Sequence, residues 1–361
     1  GAGDYDSRGF AKAAAGLAAS FGYDVGRDQV SVSARFLSEN RDQAVALLRA
    51  SLIEPTFAQA DIDRVREQVL TGIRSDTTNP DVIADAAFSK LAYGDHPYGS
   101  TLDGTLDSVA GLTREDIVNA HTDVLTKQRL YVGAVGDITA DELGPILDAL
   151  LGDLPAAGPA EPDDIGFALA GGVTVIDYDT PQAVALFGHQ GIKRDDPDYM
   201  AAYILNEYLG GSGRESRLMN EVREKRGLTY GIGTYLVPKF HAEMLLGQVA
   251  SANATIAEAI EVTKAEWARV AQEGMTQAEL DEFKTFMSGE YPLRFDGNAD
   301  IAGILVGMQI IGLPSDYVIN RNDILDAVTL DDVNRVAREL LKPDDLHFVV
   351  VGQPDGLESS D

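Results

Sequence analysis

The feature that most constrains the fold is a repeat inside the chain. Thr113 and Thr329 each precede an apolar-periodic segment with acidic residues in its first turn, the pattern of an N-capped helix. Each predicted helix is followed by a β-rich run, 129–135 or 346–351, that ends at a glycine. The distance from threonine to glycine is 23 residues in both copies (136 − 113 and 352 − 329), and the copies lie 216 residues apart (329 − 113). A repeat of a whole helix-plus-strand unit indicates an internal duplication.

The repeat extends backwards along the chain. Gln59 and Gln277 each open a long predicted helix with the same pattern of apolar and acidic residues. A predicted strand and helix precede each of them, at 29–36 with 41–52 and at 241–250 with 254–272. We therefore expect an α+β fold made of two homologous domains, each with a sheet layer and a helix layer.

The two copies predict the domain boundaries. The first domain covers 1–152, a linker rich in Pro, Ala and acidic residues covers 153–170, and the second domain covers 171–361. The second domain opens with two strands, 173–177 and 183–188, and a helix from about Asp198. The internal symmetry leads us to expect that the first domain lacks these opening strands and this helix.

The net charge of the chain limits the classes of molecule that it can bind. The formal charge is −29, from 58 acidic and 29 basic residues, so a nucleic acid or an anionic membrane surface would be repelled. Basic peptides would be attracted, although solubility alone is enough to explain the acidic composition. No apolar run reaches the roughly 18 residues of a membrane span. The absence of cysteine excludes disulfides and thiolate chemistry.

The histidines offer no catalytic zinc motif. The sequence contains five of them, at positions 96, 121, 189, 241 and 347, and no H-E-x-x-H or H-x-x-E-H run. We interpret His121, within a helix, and His347, within a strand, as structural. The Gly210-Gly-Ser-Gly segment lacks the Lys-Ser/Thr end of a phosphate-binding loop, so a connection between helices is the better interpretation.

A possible chemical pair follows this connection. A helix that starts at about Ser216 ends at Gly227, a natural C-cap, and Tyr230 then begins the next strand. Arg223 in the last helical turn and Tyr230 beyond the cap could polarise a peptide carbonyl or hold an oxyanion. On spacing alone, an arginine that satisfies the helix dipole is the favoured explanation.

These same residues carry a resemblance. The segment from Gly210 to Tyr230, with Ser-Arg-Leu and Arg-Glu-Lys-Arg-Gly-Leu-Thr-Tyr inside it, resembles the second-half signature of the insulinase–pitrilysin (inverzincin) zinc peptidases. It is most similar to their bacterial branch related to the mitochondrial processing peptidase. Tyr93-Gly-Asp-His-Pro-Tyr-Gly is similar to a first-half marker of that family. The resemblance covers nearly the whole chain, including the duplication.

The resemblance implies a chain without catalytic zinc. Active members carry H-x-x-E-H on one helix and a glutamate ligand on a later helix. In this sequence the ligand position falls on Gly72, which has no donor atom. The helix for H-x-x-E-H would lie before Gly1. The resemblance therefore implies that zinc belongs to a partner chain and that this chain holds no cofactor.

By the same resemblance this chain is the non-catalytic subunit of a heterodimeric zinc metalloendopeptidase, inactive alone. Arg223 and Tyr230 then contact the substrate and its transition state. The residues implied in substrate binding are Gly210, Gly211, Ser216 and Arg217.

Two alternatives stay open. In the first, the chain is itself an active zinc peptidase whose metal motif lies upstream of Gly1. In the second, it is a scaffold or assembly protein that has the fold without chemistry. We expect a bacterial periplasmic location, with the cytoplasm as the alternative. The sequence leaves open whether the chain forms a homodimer when it is isolated from its partner.

Overall fold

The computed structural model describes residues 1–211 and 216–360, and these residues form helices, short 3-10 turns and two sheets. The helices are α1 (Ser7–Gly16), α2 (Arg41–Ile53), α3 (Gln59–Asp76), α4 (Pro80–Tyr93), α5 (Leu106–Gly111), α6 (Arg114–Val124), α7 (Ala140–Leu151), α8 (Tyr199–Leu209), α9 (Ile256–Glu273), α10 (Gln277–Glu290), α11 (Asn298–Ile310), α12 (Tyr317–Ala327) and α13 (Leu330–Leu340). The strands are β1 (Ser20–Val25), β2 (Val30–Arg35), β3 (Gly172–Asp177), β4 (Gln182–Gln190), β5 (Ile232–Pro238), β6 (Glu243–Ala252) and β7 (His347–Gly352). This mixture confirms the predicted α+β class. Within the described residues, no helix combines the length and apolar character that crossing a membrane requires.

The two copies of the repeated unit begin with the same helix cap. Thr113 precedes α6 and Thr329 precedes α13, and each hydroxyl accepts from the backbone N–H of an aspartate three residues later. Asp116 and Asp332 in turn accept from the threonine N–H at 2.7 and 3.0 Å, which completes a capping box. Both helices span 11 residues. The helical part of the duplicated unit is therefore confirmed.

The strand predicted at 129–135 is wrong. These residues, all of which the structure describes, join neither sheet, whereas their counterpart β7 pairs with β3 and β4 on its two sides. The carbonyl of Val132 instead accepts from the side chain of Gln309 on α11 at 2.9 Å. A Cβ at Gly133 would lie 2.8 Å from the carbonyl oxygen of Ala302, also on α11. A strand requires ladder partners, and since the described first half offers counterparts of neither β3 nor β4, this segment packs on a helix.

The five-stranded sheet carries the larger core. Its order is β3-β7-β4-β6-β5, with β3 and β7 parallel and the other neighbours antiparallel. Side chains of β7 alternate between two buried clusters, Phe348 and Val350 with α8, α9 and α13, and Val349 and Val351 with α4. A strand buried on both faces is a continuous apolar run, as Phe-Val-Val-Val is. Helix α4, from the first half of the sequence, therefore forms a third layer, in addition to the sheet and the helix layer predicted for this domain.

Two compact units divide the chain, and their boundaries differ from those of the predicted domains. Unit 1 comprises Gly1–Arg74, Leu102–Glu161 and Arg294–Ser315. Unit 2 comprises Ser75–Thr101, Pro162–Leu293 and the residues from Asp316 onward. Helix α4 therefore belongs to unit 2 and α11 to unit 1, although the two helices begin 218 residues apart (298 − 80) and are equivalent in the repeat. The predicted ranges 1–152 and 171–361 follow the sequence copies rather than these units.

Unit 1 contains the hairpin β1–β2, which is antiparallel with Tyr23 opposite Val32. Its side chains are largely exposed, and the buried apolar residues of this unit come mainly from α2 and α3. The predicted site lies in unit 2.

Candidate functional site

The segment that carries the predicted Arg/Tyr pair is a short helix whose hydrogen-bond register changes. Met219–Glu224 form a π-helical turn. The N–H of Lys225 donates to the carbonyl of Asn220, five residues back, at 3.0 Å. The carbonyl of Glu221, which an α-helix would use at this point, accepts instead from the guanidinium of Arg226 at 2.7 Å. Such π-turns are frequent at functional sites.

Apolar side chains hold this turn in the core of unit 2. Leu218 and Val222 are fully buried in the same cluster as Leu228, which follows the helix. Because one face of the helix is anchored, the orientation of its polar face is set as well.

A buried carboxylate organises most of the basic side chains on that face. Glu221 is only 6% exposed and accepts from Lys225 at 2.5 Å, Arg226 at 2.8 Å and Arg217 at 3.3 Å. Arg217 also donates to Glu266 of α9 at 3.2 Å. Burial raises the pKa of Glu221, but the hydrogen bonds from Lys225 and Arg226 outweigh it, so the pKa is lowered overall. An ionised Glu221 therefore neutralises part of the positive charge around it.

Arg223 lies outside this network. Among the described residues its guanidinium donates to Glu224 alone, at 2.5 Å, and both side chains are partly exposed. The backbone carbonyl of Arg223 accepts from the N–H of Gly227 at 2.8 Å, and Gly227 has a φ of +65°. A glycine in this left-handed conformation ends a helix. The predicted cap is confirmed, with Arg223 in the last turn before it.

Tyr230 belongs to a turn with a fixed backbone and an exposed ring. The hydroxyl of Thr229 donates to the carbonyl of Ala250 at 2.6 Å, and the hydroxyl of Ser251 donates to the carbonyl of Leu228 at 2.5 Å. Both bonds tie the turn to β6, yet the side chain of Tyr230 is 89% exposed. Strand β5 begins two residues after Tyr230 rather than at it.

The two glycines implied in substrate binding close the end of α8. Both are buried, and the carbonyl of Gly210 accepts from the N–H of Thr234 at 2.7 Å. A Cβ at Gly210 would lie 2.6 Å from the hydroxyl of Thr234, and a Cβ at Gly211 would lie 2.6 Å from the Cα of Glu207. Close packing therefore requires glycine at both positions, whatever else this segment does.

The two further residues implied in substrate binding start the next helix. Ser216 is fully buried, and its hydroxyl has no hydrogen-bond partner in the described part of the chain. Arg217 is held by two carboxylates, those of Glu221 and Glu266. Residues 212–215, which belong to the same motif, lie outside the described residues.

The described residues do not fit a zinc ion. Gly72 is exposed on α3, and a Cβ at this position would meet nothing within 4 Å. Residues 1–211 and 216–360 contain no group of three or more His, Asp or Glu side chains that could hold a metal. Several histidines have polar partners elsewhere: His96 the carbonyl of Asp163, His241 the carboxylate of Asp164, and His347 the carbonyl of Ala170.

Sequence reasoning did not identify Glu221 or the hydroxyls of Thr229 and Ser251. Glu221 lies four residues after Arg217 and four before Lys225, a spacing that places the three on one helix face. That signal is visible in the sequence. The contribution of Ser251 is not, because it depends on how β6 lies beside the turn.

The chain is similar in sequence to several known proteins. Residues 111–287 match the family model described as the peptidase M16 inactive domain. The non-peptidase homolog YmxG of Helicobacter pylori is 24% identical over 345 residues, which cover 95% of this chain and 79% of that protein. An uncharacterized zinc protease of Streptomyces coelicolor is 28% identical over 316 residues, 85% of this chain and 68% of that one.

Solved structures show the same fold. The peptidase M16 inactive domain from Pseudomonas fluorescens superposes with a TM-score of 0.90 at 28% identity, covering 99% of this chain and 86% of that one. A protease from Helicobacter pylori superposes with a TM-score of 0.83 at 18% identity.

Fold and site together define a peptidase-like α+β chain whose described residues offer no catalytic metal site. The chain is similar to proteins described as a peptidase M16 inactive domain and as a non-peptidase homolog, and the family model matches residues 111–287. These similarities support the resemblance to insulinase–pitrilysin peptidases that the sequence motifs carry.

Proposed function

We propose that this chain is the non-catalytic subunit of a heterodimeric zinc peptidase of the processing-peptidase-like branch. The partner chain carries H-x-x-E-H and the zinc ion. Arg223 and Tyr230 contact the peptide bound to that partner, and the isolated chain hydrolyses nothing.

The observation that carries this proposal is the exposed ring of Tyr230 on a fixed turn. A side chain that is 89% exposed adds little hydrophobic stabilisation to the fold. Its backbone is nevertheless held by the hydroxyls of Thr229 and Ser251. A phenolic O–H and the guanidinium of Arg223 can each donate to a peptide carbonyl or to the oxyanion formed from it. Donors fixed in advance stabilise such charge most effectively.

The net charge of the chain supports a basic peptide as the substrate. A net charge of −29 attracts basic peptides. The other substrate-binding residues in this proposal are Gly210, Gly211, Ser216 and Arg217. In the absence of the catalytic chain, two copies of this chain associate through the surface that the partner would cover.

The test is steady-state kinetics of the mixed complex, formed with an H-x-x-E-H peptidase chain of the same cell. Arg223→Ala and Tyr230→Phe should each lower kcat by about 10²–10³-fold, the usual loss for one oxyanion donor. The matched controls are Tyr235→Phe, an exposed tyrosine on β5, and Arg338→Ala, an exposed arginine on α13. Both controls should keep wild-type kcat/KM.

The outcomes separate the roles. A rise in KM with kcat unchanged would mean that the pair holds the peptide without stabilising the transition state. Wild-type kcat/KM in both variants would refute the proposal and leave the chain as a scaffold. Peptide hydrolysis by the purified chain alone, blocked by a chelator, would also refute it.

A further inference from the structure

The π-helical turn raises the question of why Arg223, among four basic side chains close together, is the one that makes no hydrogen bond to Glu221. Arg217, Arg223, Lys225 and Arg226 lie within ten residues of one another in a strongly acidic chain. Three of these four donate to Glu221. Only Arg223 does not.

We propose that Glu221 is a positioning residue, which acts on substrate through Arg223 and Tyr230 rather than by touching it. This inference rests on the proposed function above. Its side chain is 8% exposed and therefore cannot contact a peptide directly. It acts by gathering the competing cations and by holding the backbone of the turn.

The first part of the argument concerns competition between charges. Charge-assisted hydrogen bonds to a buried carboxylate are among the stronger ones in proteins. With Glu221 ionised, Lys225 and Arg226 are occupied, and Glu224 is left to Arg223. Without that charge, Lys225 and Arg226 would compete with Arg223 for Glu224. The guanidinium of Arg223 would then lose its fixed orientation.

The second part concerns the backbone. The π-register leaves the carbonyl of Glu221 without its usual N–H partner, and Arg226 supplies the missing donor at 2.7 Å. The same guanidinium bonds the Glu221 carboxylate at 2.8 Å. Both bonds therefore hold the π-turn closed immediately before the Gly227 cap. Since the turn with Tyr230 follows this cap, a change at Glu221 reaches both members of the pair.

The experiment uses the mixed complex and a double-mutant cycle. Glu221→Gln should lower kcat/KM about tenfold, in the range that coupled neighbours show. In an Arg223→Ala background the same substitution should have a clearly smaller effect, because only its influence on Tyr230 remains. Glu221→Asp, which keeps the charge, should recover part of the loss. The matched control is Glu339→Gln, which removes an ion-pair partner of Arg335 on α13 and should leave kcat/KM near wild type.

A second variant guards against misfolding. Arg226→Met removes the donor to the Glu221 carbonyl but keeps Lys225 and Arg217 on the carboxylate, so it should lower kcat/KM in the same direction by a smaller factor. Urea unfolding midpoints of all variants show whether the fold is intact.

The two levels of proposal fail differently. If Arg223→Ala keeps wild-type kcat/KM, the proposed function is wrong. If Arg223→Ala lowers kcat/KM but the effect of Glu221→Gln is the same in both backgrounds, or absent from both, Glu221 is not a positioning residue and this inference is wrong.

Discussion

A buried histidine makes the stability of unit 2 depend on pH in a direction that the structure determines. His189 on β4 is 1% exposed, and its Nδ1–H donates to the carbonyl of Gln190 at 2.7 Å. Its Nε2 accepts from the indole N–H of Trp267 at 3.1 Å and faces the N–H of Lys342 at 3.5 Å. If Nε2 were protonated, it would become a donor itself and would face the N–H groups of Trp267 and Lys342, which are also donors. Burial accordingly lowers the pKa of His189, and the nearby Lys342 adds to this while Gln190 and Asp345 oppose it.

The sign and size follow from proton linkage. Because the folded pKa lies below the unfolded value of about 6.5, the full stability is present above pH 6.5. It declines as the pH falls from there towards the folded pKa, since only the unfolded chain binds a proton. For each full pH unit below 6.5 over which the folded protein keeps His189 neutral, the free energy of unfolding falls by up to about 1.4 kcal/mol.

The assay is urea unfolding followed by the fluorescence of Trp267, the single tryptophan of the chain and a direct neighbour of this imidazole. The comparison variant is His189→Gln, whose side-chain oxygen can still accept from Trp267 but binds no proton in this range. Its unfolding free energy should lack this part of the pH dependence. Parallel curves for the two proteins between pH 7.5 and 5.5 would refute the reasoning.

Two further predictions concern α4 and α3. Phe88→Ala removes a buried ring from α4 and should lower the free energy of unfolding by about 3–5 kcal/mol. Its control is Phe286→Ala on α10, where the residue is 51% exposed, and this change should lower the free energy of unfolding by less than about 0.5 kcal/mol. Equal urea midpoints for the two variants would contradict the packing described. Gly72→Glu should leave the fold intact or stabilise α3 by about 0.5 kcal/mol, because it replaces a glycine inside a helix and the new side chain meets open space. The control Gly72→Ala should have the same effect on stability. Neither variant should bind zinc in a calorimetric titration, and stoichiometric, tight zinc binding by Gly72→Glu would show that a ligand set exists.

The fold could be predicted from sequence as far as its signals are local. The capping threonines at 113 and 329 define α6 and α13 because an N-cap bonds within three residues. The run 129–135 has the composition of β7, but a ladder is formed with other strands, and composition does not say whether they are present. The apolar face of α4 likewise predicts burial without specifying the surface. That surface turned out to be the sheet built by the second half of the chain.

The same distinction applies to the site. Gly227 marks the cap, so the position of Arg223 in the last helical turn could be predicted from sequence alone. The π-register could not, because it depends on which carbonyl the N–H of Lys225 selects once Leu218 and Val222 are fixed in the core. This register explains why neighbouring basic residues differ in availability. Arg217 and Arg226 both donate to the buried carboxylate of Glu221, whereas Arg223 has a single, exposed partner in the described part of the chain. A motif of basic residues therefore does not by itself show which residue binds a ligand. The acidic residue that pairs with the others has to be located first.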